Sequence, residues 1–336
     1  MSDRRVSLSQ WLAEVLGTTD FHLEPLAGDA SFRRYWRAVV AERRYVVMDA
    51  PPPEEDCGRF VAIARRLGDA GLHVPSILHD DLEAGFLVLD DLGDALYLDA
   101  LTAETADGLY RDALRALVQM QRATRTEGLP HYDAARLGDE MALFPEWFLA
   151  RHLQIKLGAR ERQTLDGAFA WLIERALAQP QVFVHRDYHS RNLMVHAPNP
   201  AIIDFQDAVV GPLTYDLVSL FRDVYIDWPD ARITDWIAAY CALATDAKIL
   251  TPRQVVDVPG WFDAMGVQRH LKVAGIFARL YYRDGKPRYL DDLPLTIRYL
   301  TDVTRRLPEL SALAALLERL NLADQLAAAR TREAAT

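Results

Sequence analysis

Two cysteines, Cys57 and Cys241, are all that the 336 residues contain. They are too few and too far apart for a disulfide framework or a cysteine metal cluster, so we expect ordinary packing residues. No apolar run reaches the roughly 20 residues that a membrane-spanning helix requires, so we expect no membrane partner. The formal net charge of −10 disfavours a nucleic-acid binder, which leaves a small molecule as the expected partner.

The N-terminal sequence lacks the features of a targeting segment. It has basic residues, but neither a uniformly apolar stretch nor a small-residue cleavage site, which predicts a mature cytoplasmic protein. Helical spacing of apolar residues predicts a leading helix at residues 7–17. The length favours two lobes with a cleft between them, which we divide into residues 1–92 and 93–330. The sequence does not indicate the oligomeric state.

The first lobe is rich in strand patterns. Three runs of alternating apolar and polar residues occupy residues 21–49, and a helix with an apolar stripe follows the prolines at 51–53. Two further strand-like runs lie at 74–78 and 86–89. The order of three strands, one helix and two strands predicts a small lobe with an antiparallel sheet.

Helical spacing dominates beyond Gly93. The predicted helices occupy residues 103–123, 160–178, 214–225, 231–244, 261–282 and 296–330. One β-rich island, with strands at 182–184, 193–195 and 201–203, interrupts them. The fold class that follows is α+β, with a larger and mainly helical C-terminal lobe.

A polar segment inside this island carries the expected chemistry. His185-Arg186-Asp187 follows one strand, Asn192 precedes the next, and Asp204 comes after the third. Phosphoryl transfer needs a positioned nucleophile and divalent cations that neutralise the phosphates. Asp187 is therefore the candidate base or hydroxyl-positioning group, and Asn192 and Asp204 are oxygen ligands suited to Mg²⁺. Asp187 and Asn192 could instead cap turns, but turn caps would not require the acid after the next strand.

The segment resembles the catalytic loop of the protein-kinase-like superfamily. That loop reads His-Arg-Asp, four residues and Asn, followed by a metal-binding Asp-Phe-Gly, where this chain has Gln206 in place of the glycine. The resemblance implies a bilobal kinase fold, ATP and Mg²⁺ as cofactors, and a structural role for His185. Residues 211–217 are similar to a segment of aminoglycoside and choline kinases, which implies that Asp216 fixes the catalytic loop. The short connection before that segment indicates a small-molecule substrate.

By the same resemblance, the first lobe is expected to bind the nucleotide. The turn that contains Gly28 and Ser31 takes the place of the phosphate-covering loop, although a simple hairpin explains it nearly as well. The hinge between the lobes is expected to contact adenine through main-chain groups at Leu89, Asp90, Asp91 and Leu92.

Met48 is a candidate nucleotide contact by its position in the third strand, but it departs from the superfamily pattern, because a lysine that contacts the phosphates normally occupies this position. The following helix also lacks a central glutamate. Phosphate neutralisation is then expected from a nearby arginine, with Arg33 as the candidate and Arg34 and Arg43 as neighbours.

Further motifs are similar to those of the bacterial anomeric kinases of cell-wall amino sugars. They lie at residues 28–35, 47–52, 144–148, 204–208 and 268–273, and together they span most of the chain. This resemblance implies phosphorylation of the C1 hydroxyl of N-acetylmuramate or N-acetylglucosamine in peptidoglycan recycling.

Candidate contacts of the sugar come from several parts of the second lobe. Trp147 and Trp261 are candidates to stack on a pyranose face, with core packing as the competing explanation. Polar contacts are expected from Glu146, Asp207, Gln268, Arg269 and Lys272. Arg269 and Lys272 also fit a solvated helix face.

Two other functions remain open at this point. One is a kinase for another small alcohol, such as an aminoglycoside, choline or an amino-acid hydroxyl. The other is a nucleotide-binding regulatory module without turnover, which the Met48 substitution would suit.

Overall fold

The computed structural model describes residues 3–26 and 32–334, and the chain divides into two compact units. Unit 1 contains Met1–Ala100 and Asn192–Gln206, and unit 2 contains Leu101–Arg191 and Asp207–Thr336. Gly28 and Ser31 lie outside the described residues. The lobe boundary between residues 92 and 93 stays a prediction.

Unit 1 is built on an antiparallel sheet, as the alternating sequence pattern predicts. Its strands are β1 (His22–Leu26), β2 (Arg34–Val40), β3 (Arg43–Asp49), β4 (Ile77–Asp81) and β5 (Phe86–Asp90). They are hydrogen-bonded in the order β1-β2-β3-β5-β4. The strand predicted at residues 74–78 begins only at Ile77, because Pro75 has no N–H to donate to a ladder.

One face of this sheet is covered by helix α1 (Asp3–Leu16). Leu8 of the helix and Val47 of β3 belong to the same cluster of fully buried apolar side chains. The helix begins four residues before its predicted start. A tertiary contact explains the extra turn, since Nε of Arg4 donates a hydrogen bond to Oδ1 of Asp49 at 2.6 Å.

Two short sheets replace the single β-rich island that was predicted. Strand β6 (Gln181–Val184) pairs with β9 (Val209–Pro212) in unit 2, whereas β7 (Leu193–Met194) pairs with β8 (Ala201–Ile202) in unit 1. The prediction of one island was wrong because it missed β9. The β9 sequence contains glycine and proline and does not alternate, so only its pairing with β6 makes it a strand.

Helices make up most of unit 2, which confirms the predicted α+β fold class. The helices after α1 are α2 (Cys57–Asp69) and α3 (Tyr97–Ala100) in unit 1, and α4 (Ala106–Ala123), α5 (Ala134–Leu143), α6 (Ala159–Leu177), α7 (Tyr215–Phe221), α8 (Asp230–Asp246), α9 (Val258–Asp284), α10 (Leu293–Arg306), α11 (Ser311–Leu320) and α12 (Leu322–Ala334) in unit 2. A π-helix at Phe144–His152 continues α5. Among the described helices, none combines the length and apolarity needed to span a membrane.

The C-terminal region predicted as one helical stretch is three helices in the structure. Pro308 disfavours a helical conformation in the residue before it, so α10 ends at Arg306. Asn321 adopts a left-handed conformation, with φ of 47°, and ends α11. Helix α5 and the π-helix were not predicted at all.

Candidate active site

The loop that follows β6 carries Asp187 and is held by two buried aspartate side chains of unit 2. Asp216, in the first turn of α7, accepts hydrogen bonds from the backbone N–H groups of His185 (2.8 Å) and Arg186 (3.0 Å). Asp223, just beyond the end of α7, accepts one from the N–H of Ser190 (2.9 Å). The two ends of the loop are thus attached to the start of α7 and to the segment directly after it.

Asp216 was predicted from the sequence, whereas Asp223 was not. Asp223 lies two residues beyond the end of α7, where helical spacing no longer relates it to Asp216. No local sequence pattern therefore identifies Asp223. Burial raises the pKa of Asp216 to about 7, although its two backbone hydrogen bonds act to lower it.

Arg186 has a left-handed backbone conformation, with φ of 80°. This conformation costs a non-glycine residue roughly 1–3 kcal/mol and persists only where other contacts hold it. The N–H of Arg186 donates to Asp216, its carbonyl accepts from Nη1 of Arg269 at 2.9 Å, and its guanidinium pairs with Glu140. These contacts fix the backbone directly before Asp187.

Asp187 is a partly exposed carboxylate in positive surroundings. Its side chain is 41% exposed, and its Oδ1 lies 3.9 Å from Nη2 of Arg269. Burial acts to raise the pKa of Asp187, but the charges of Lys272 and Arg269 outweigh it and lower this pKa to about 2. The group is therefore ionised at neutral pH and can accept a hydrogen bond from a hydroxyl.

His185 is fully buried within the same loop. Its Nδ1 lies 3.2 Å from the N–H nitrogen of Asp187, and its ring meets the Tyr188 ring edge-on with centroids 5.8 Å apart. Because Nδ1 accepts this hydrogen bond, the ring proton of the neutral imidazole is on Nε2. His185 thus supports the backbone at Asp187.

Asn192 and Asp204 are neighbours in unit 1. Asn192 directly precedes β7, Asp204 follows β8, and Nδ2 of Asn192 lies 3.3 Å from Oδ2 of Asp204. Gln206 donates a hydrogen bond from Nε2 to Oδ1 of Asp204 at 2.9 Å. Asp204 also has a left-handed backbone, with φ of 62°. A carboxylate beside an amide is a donor set that fits a hard divalent cation, since the amide can also present its oxygen.

The position in β3 that carries a lysine in the superfamily pattern is occupied here by a buried apolar residue. Met48 is fully buried in β3, and its register partner on β2 is Tyr35. Two residues before Tyr35, Arg33 forms an ion pair with Glu55 that joins Nε to Oε2 at 3.3 Å. Burial raises the pKa of Tyr35 to about 12, with Arg33 acting to lower it and Asp204 to raise it. Arg33 and Asp204 therefore act on the same hydroxyl within unit 1.

The side chains of the predicted hinge residues serve the fold of unit 1. Leu89 and Leu92 are buried. Asp90 accepts a hydrogen bond at 2.6 Å from the backbone just before β4. Asp91 accepts one at 2.6 Å from Nε of Arg37, and this contact helps to hold the pKa of Asp91 below its ordinary value despite burial. The side chains of this segment are therefore engaged within unit 1, and the predicted adenine contact through its main-chain groups stays a prediction.

The predicted sugar contacts differ in their exposure. Four of them are buried in α9, namely Trp261, Gln268, Arg269 and Lys272. Glu146 is exposed in the π-helix, while Trp147 and Asp207 are half-buried. The guanidinium of Arg151 lies 4.9 Å from the ring centroid of Trp147. The exposed and half-buried members are the ones that can meet a ligand directly.

Glu140 of α5 is a charged residue of the site that was not predicted from the sequence. It accepts hydrogen bonds from the phenol of Tyr132 and the guanidinium of Arg186, and its Oε2 lies 3.2 Å from Nζ of Lys272. Lys272 also donates to the phenol of Tyr215 at 2.8 Å. Burial acts to raise the pKa of Glu140, but Lys272 and Arg186 hold it below its ordinary value. Glu140 is thus an ionised and largely buried group behind the Asp187 loop.

Known proteins resemble this chain over most of its length. The model of the phosphotransferase enzyme family matches residues 22–250, which is more than half of the chain. An N-acetylmuramate/N-acetylglucosamine kinase of Pseudomonas aeruginosa is 50% identical over 298 residues, covering 89% of this chain and 88% of its own. A protein of the same name from Neisseria meningitidis is 43% identical over 322 residues, covering 94% and 96%.

Solved structures share the fold at low sequence identity. An ADP-bound aminoglycoside phosphotransferase has a TM-score of 0.61 at 14% identity, covering 93% of this chain and 98% of its own. A choline kinase from Streptococcus pneumoniae has a TM-score of 0.64 at 12% identity, covering 90% and 100%. These similarities confirm the predicted protein-kinase-like fold.

Proposed function

This chain belongs to the phosphotransferase enzyme family, and we propose that it transfers the γ-phosphoryl group of ATP to the C1 hydroxyl of N-acetylmuramate and N-acetylglucosamine. The observation that carries the choice of sugars is the 50% identity, over 89% of the chain, to a kinase named for both of them. The products are ADP and a sugar 1-phosphate. We place this reaction in cytoplasmic peptidoglycan recycling.

Asp187 orients the acceptor hydroxyl in this reaction. The C1 hydroxyl donates a hydrogen bond to the ionised carboxylate, which aims its oxygen at the γ-phosphorus. As the new oxygen–phosphorus bond forms and the bond to the β-phosphate oxygen breaks, the hydroxyl proton passes to Asp187. A carboxylate with a pKa of about 2 is a weak base, so it acts mainly by positioning and accepts the proton late.

Asn192 and Asp204 are the residues that would hold Mg²⁺. Their side chains offer the oxygen ligands that this ion prefers, and they lie side by side in unit 1. The ion would neutralise negative charge on the nucleotide phosphates. Left-handed backbone strain at Asp204 supports a functional role, because such strain concentrates at active sites.

Arg33 supplies positive charge to the phosphates in place of the missing lysine. Met48 is apolar and buried, so it contributes no charge. The ion pair with Glu55 restrains the Arg33 guanidinium, and the charges of Arg33 and Asp204 both influence the pKa of Tyr35. The other nucleotide contacts that we propose are Gly28, Ser31 and the main chain of Leu89, Asp90, Asp91 and Leu92.

The sugar is bound by residues that are accessible in unit 2. We assign direct contacts to Glu146, Trp147 and Asp207, because these side chains are exposed or half-buried. The buried members of the predicted set do not contact the sugar directly but support the residues that do; they are Trp261, Gln268, Arg269 and Lys272. Arg269 and Lys272 do so through their charges on Asp187.

An assay of ADP formation tests the proposal. With Mg²⁺ and ATP, either free sugar should stimulate ADP release, whereas its methyl glycoside, which has no free C1 hydroxyl, should not. Asp187→Asn should lower kcat by about 10²–10⁴-fold without unfolding the protein. Undiminished turnover in this variant would contradict the role of Asp187.

Other outcomes would favour the competing functions. ADP release stimulated by an aminoglycoside, choline or an amino-acid hydroxyl, and not by the sugars, would identify a different small-molecule kinase. Thermal stabilisation by ATP without ADP formation in a single-turnover experiment would instead identify a nucleotide-binding regulatory module.

A further inference from the structure

A cluster of charged side chains in unit 2 extends from α5 and α9 to the loop after β6. Its cations are Arg186, Arg269 and Lys272, and its anions are Glu140 and Asp187. The side chains of the other four members are at most 14% exposed, whereas that of Asp187 is 41% exposed. The cluster therefore faces solvent, and a bound substrate, mainly through Asp187.

Lys272 is the cation in this cluster with the largest effect on Asp187. Among the neighbouring charges, it is the leading cause of the low pKa of Asp187. Its ammonium contacts Glu140 at 3.2 Å and the phenol of Tyr215 at 2.8 Å. A largely buried ammonium needs a carboxylate partner, because an unpaired buried charge is strongly destabilising. Glu140 is that partner, and without it Asp187 is the only other carboxylate of the cluster.

Glu140 acts on Asp187 by a second route, through the backbone. It binds the guanidinium of Arg186, the residue whose left-handed conformation precedes Asp187. Loss of this contact removes one of the interactions that hold the strained conformation. By both routes, Glu140 influences the orientation of Asp187 and its availability to a substrate.

We propose that Glu140 is a positioning residue for phosphoryl transfer, which keeps Asp187 available to the acceptor hydroxyl by binding Lys272 and Arg186. The proposal rests on the proposed function, since it takes Asp187 as the group that orients the hydroxyl. Three cations and two anions leave the cluster with one net positive charge. Glu140→Gln raises this to two, and the double variant Glu140→Gln/Lys272→Met returns it to one.

Steady-state kinetics of these variants test the proposal. Glu140→Gln should lower kcat by about 10²-fold with little change in KM for either substrate, because Lys272 turns to Asp187 and the carboxylate is misplaced. The double variant should recover part of this loss, because no unpaired ammonium remains, whereas Arg186 still lacks its carboxylate partner. The matched control is Asp139→Asn, an exposed acid at the preceding position of α5, which should leave kcat unchanged.

A role in packing alone predicts a different result. The double variant loses the contacts of two side chains, so on that account it is no faster than Glu140→Gln. An unchanged kcat in Glu140→Gln, or a double variant as slow as the single one, overturns the proposal. If Glu140→Gln does not fold, the double variant and Glu140→Asp, which keeps the charge, carry the same test. Failure of the proposed function is distinguishable, because it appears in the wild-type protein as an absence of sugar-dependent ADP formation.

Discussion

Helix α9 passes the end of α5 at a distance that only glycine allows. A Cβ atom at Gly275 would lie 2.4 Å from the carbonyl carbon of Leu143 and 2.6 Å from its carbonyl oxygen. Both distances are far inside van der Waals contact. The obstructing atoms are the backbone carbonyl group of Leu143 and its Cβ atom, which is bonded directly to the backbone, so they cannot move aside as the end of a flexible side chain can. We therefore expect Gly275→Ala to destabilise unit 2.

Two opposing terms determine the magnitude for Gly275→Ala. Alanine in a helix interior is about 1 kcal/mol more favourable than glycine. Forcing a methyl group into filled space costs about 1–3 kcal/mol, and the rigid backbone here favours the upper value. The net result is a loss of about 2 kcal/mol in the free energy of unfolding. For a domain of roughly 150–250 residues, that loss lowers the unfolding temperature by about 4–8 °C.

Gly167→Ala is the matched control for this prediction. Gly167 lies within α6 of the same unit, is exposed, and has no described atom within 4 Å of its Cβ position. The Gly167→Ala variant should be more stable than the wild type by up to about 1 kcal/mol in the free energy of unfolding. Urea and thermal unfolding, followed by circular dichroism, measure both variants against the wild type. A Gly275→Ala protein at least as stable as the wild type would refute the packing argument.

The remaining predictions concern the nucleotide and the loop carboxylate. Arg33→Gln should weaken ATP binding by about 10–100-fold in calorimetry and leave adenosine binding unchanged, because a charged hydrogen bond is worth roughly 1.5–3 kcal/mol. The control is Arg34→Gln at the exposed neighbouring position. If this variant loses ATP affinity and Arg33→Gln does not, the assignment to Arg33 is wrong. Folding raises the pKa of Asp216 from 3.8 to about 7, so the folded protein keeps a proton on Asp216 that the unfolded chain has already released. The folded state therefore loses stability as the pH rises towards 7. Between about pH 5 and 7 the wild type should lose roughly 2–3 kcal/mol more stability than Asp216→Asn in urea unfolding; an equal pH dependence would contradict this.

The sequence was most informative where the chemistry is local in the chain. The residues from His185 to Asn192 are consecutive, and Asp204 follows after one hairpin, so a short window contains most of the candidate site. The strands of unit 1 were also predictable, because alternation and turn residues mark each one. Pro75 shows the limit of that pattern, since it shortens β4 at one end.

Contacts between distant segments could not be predicted in this way. Glu140 lies 46 residues from Arg186 and on a helix that the pattern did not predict. The close approach at Gly275 depends on how α9 meets α5, which no local window contains. In each case the role of the residue is determined by tertiary packing, so a single sequence offers no spacing rule for it.

Helix α1 has a practical consequence for anyone who shortens this protein. The family match begins at residue 22, which invites an expressed fragment that starts there. Such a fragment would uncover the apolar side of the sheet around Val47 and Phe86 and would remove the arginine that pairs with Asp49. Exposed apolar surface next to an unpaired acid favours aggregation and misfolding, so the first sixteen residues belong in any fragment intended to fold.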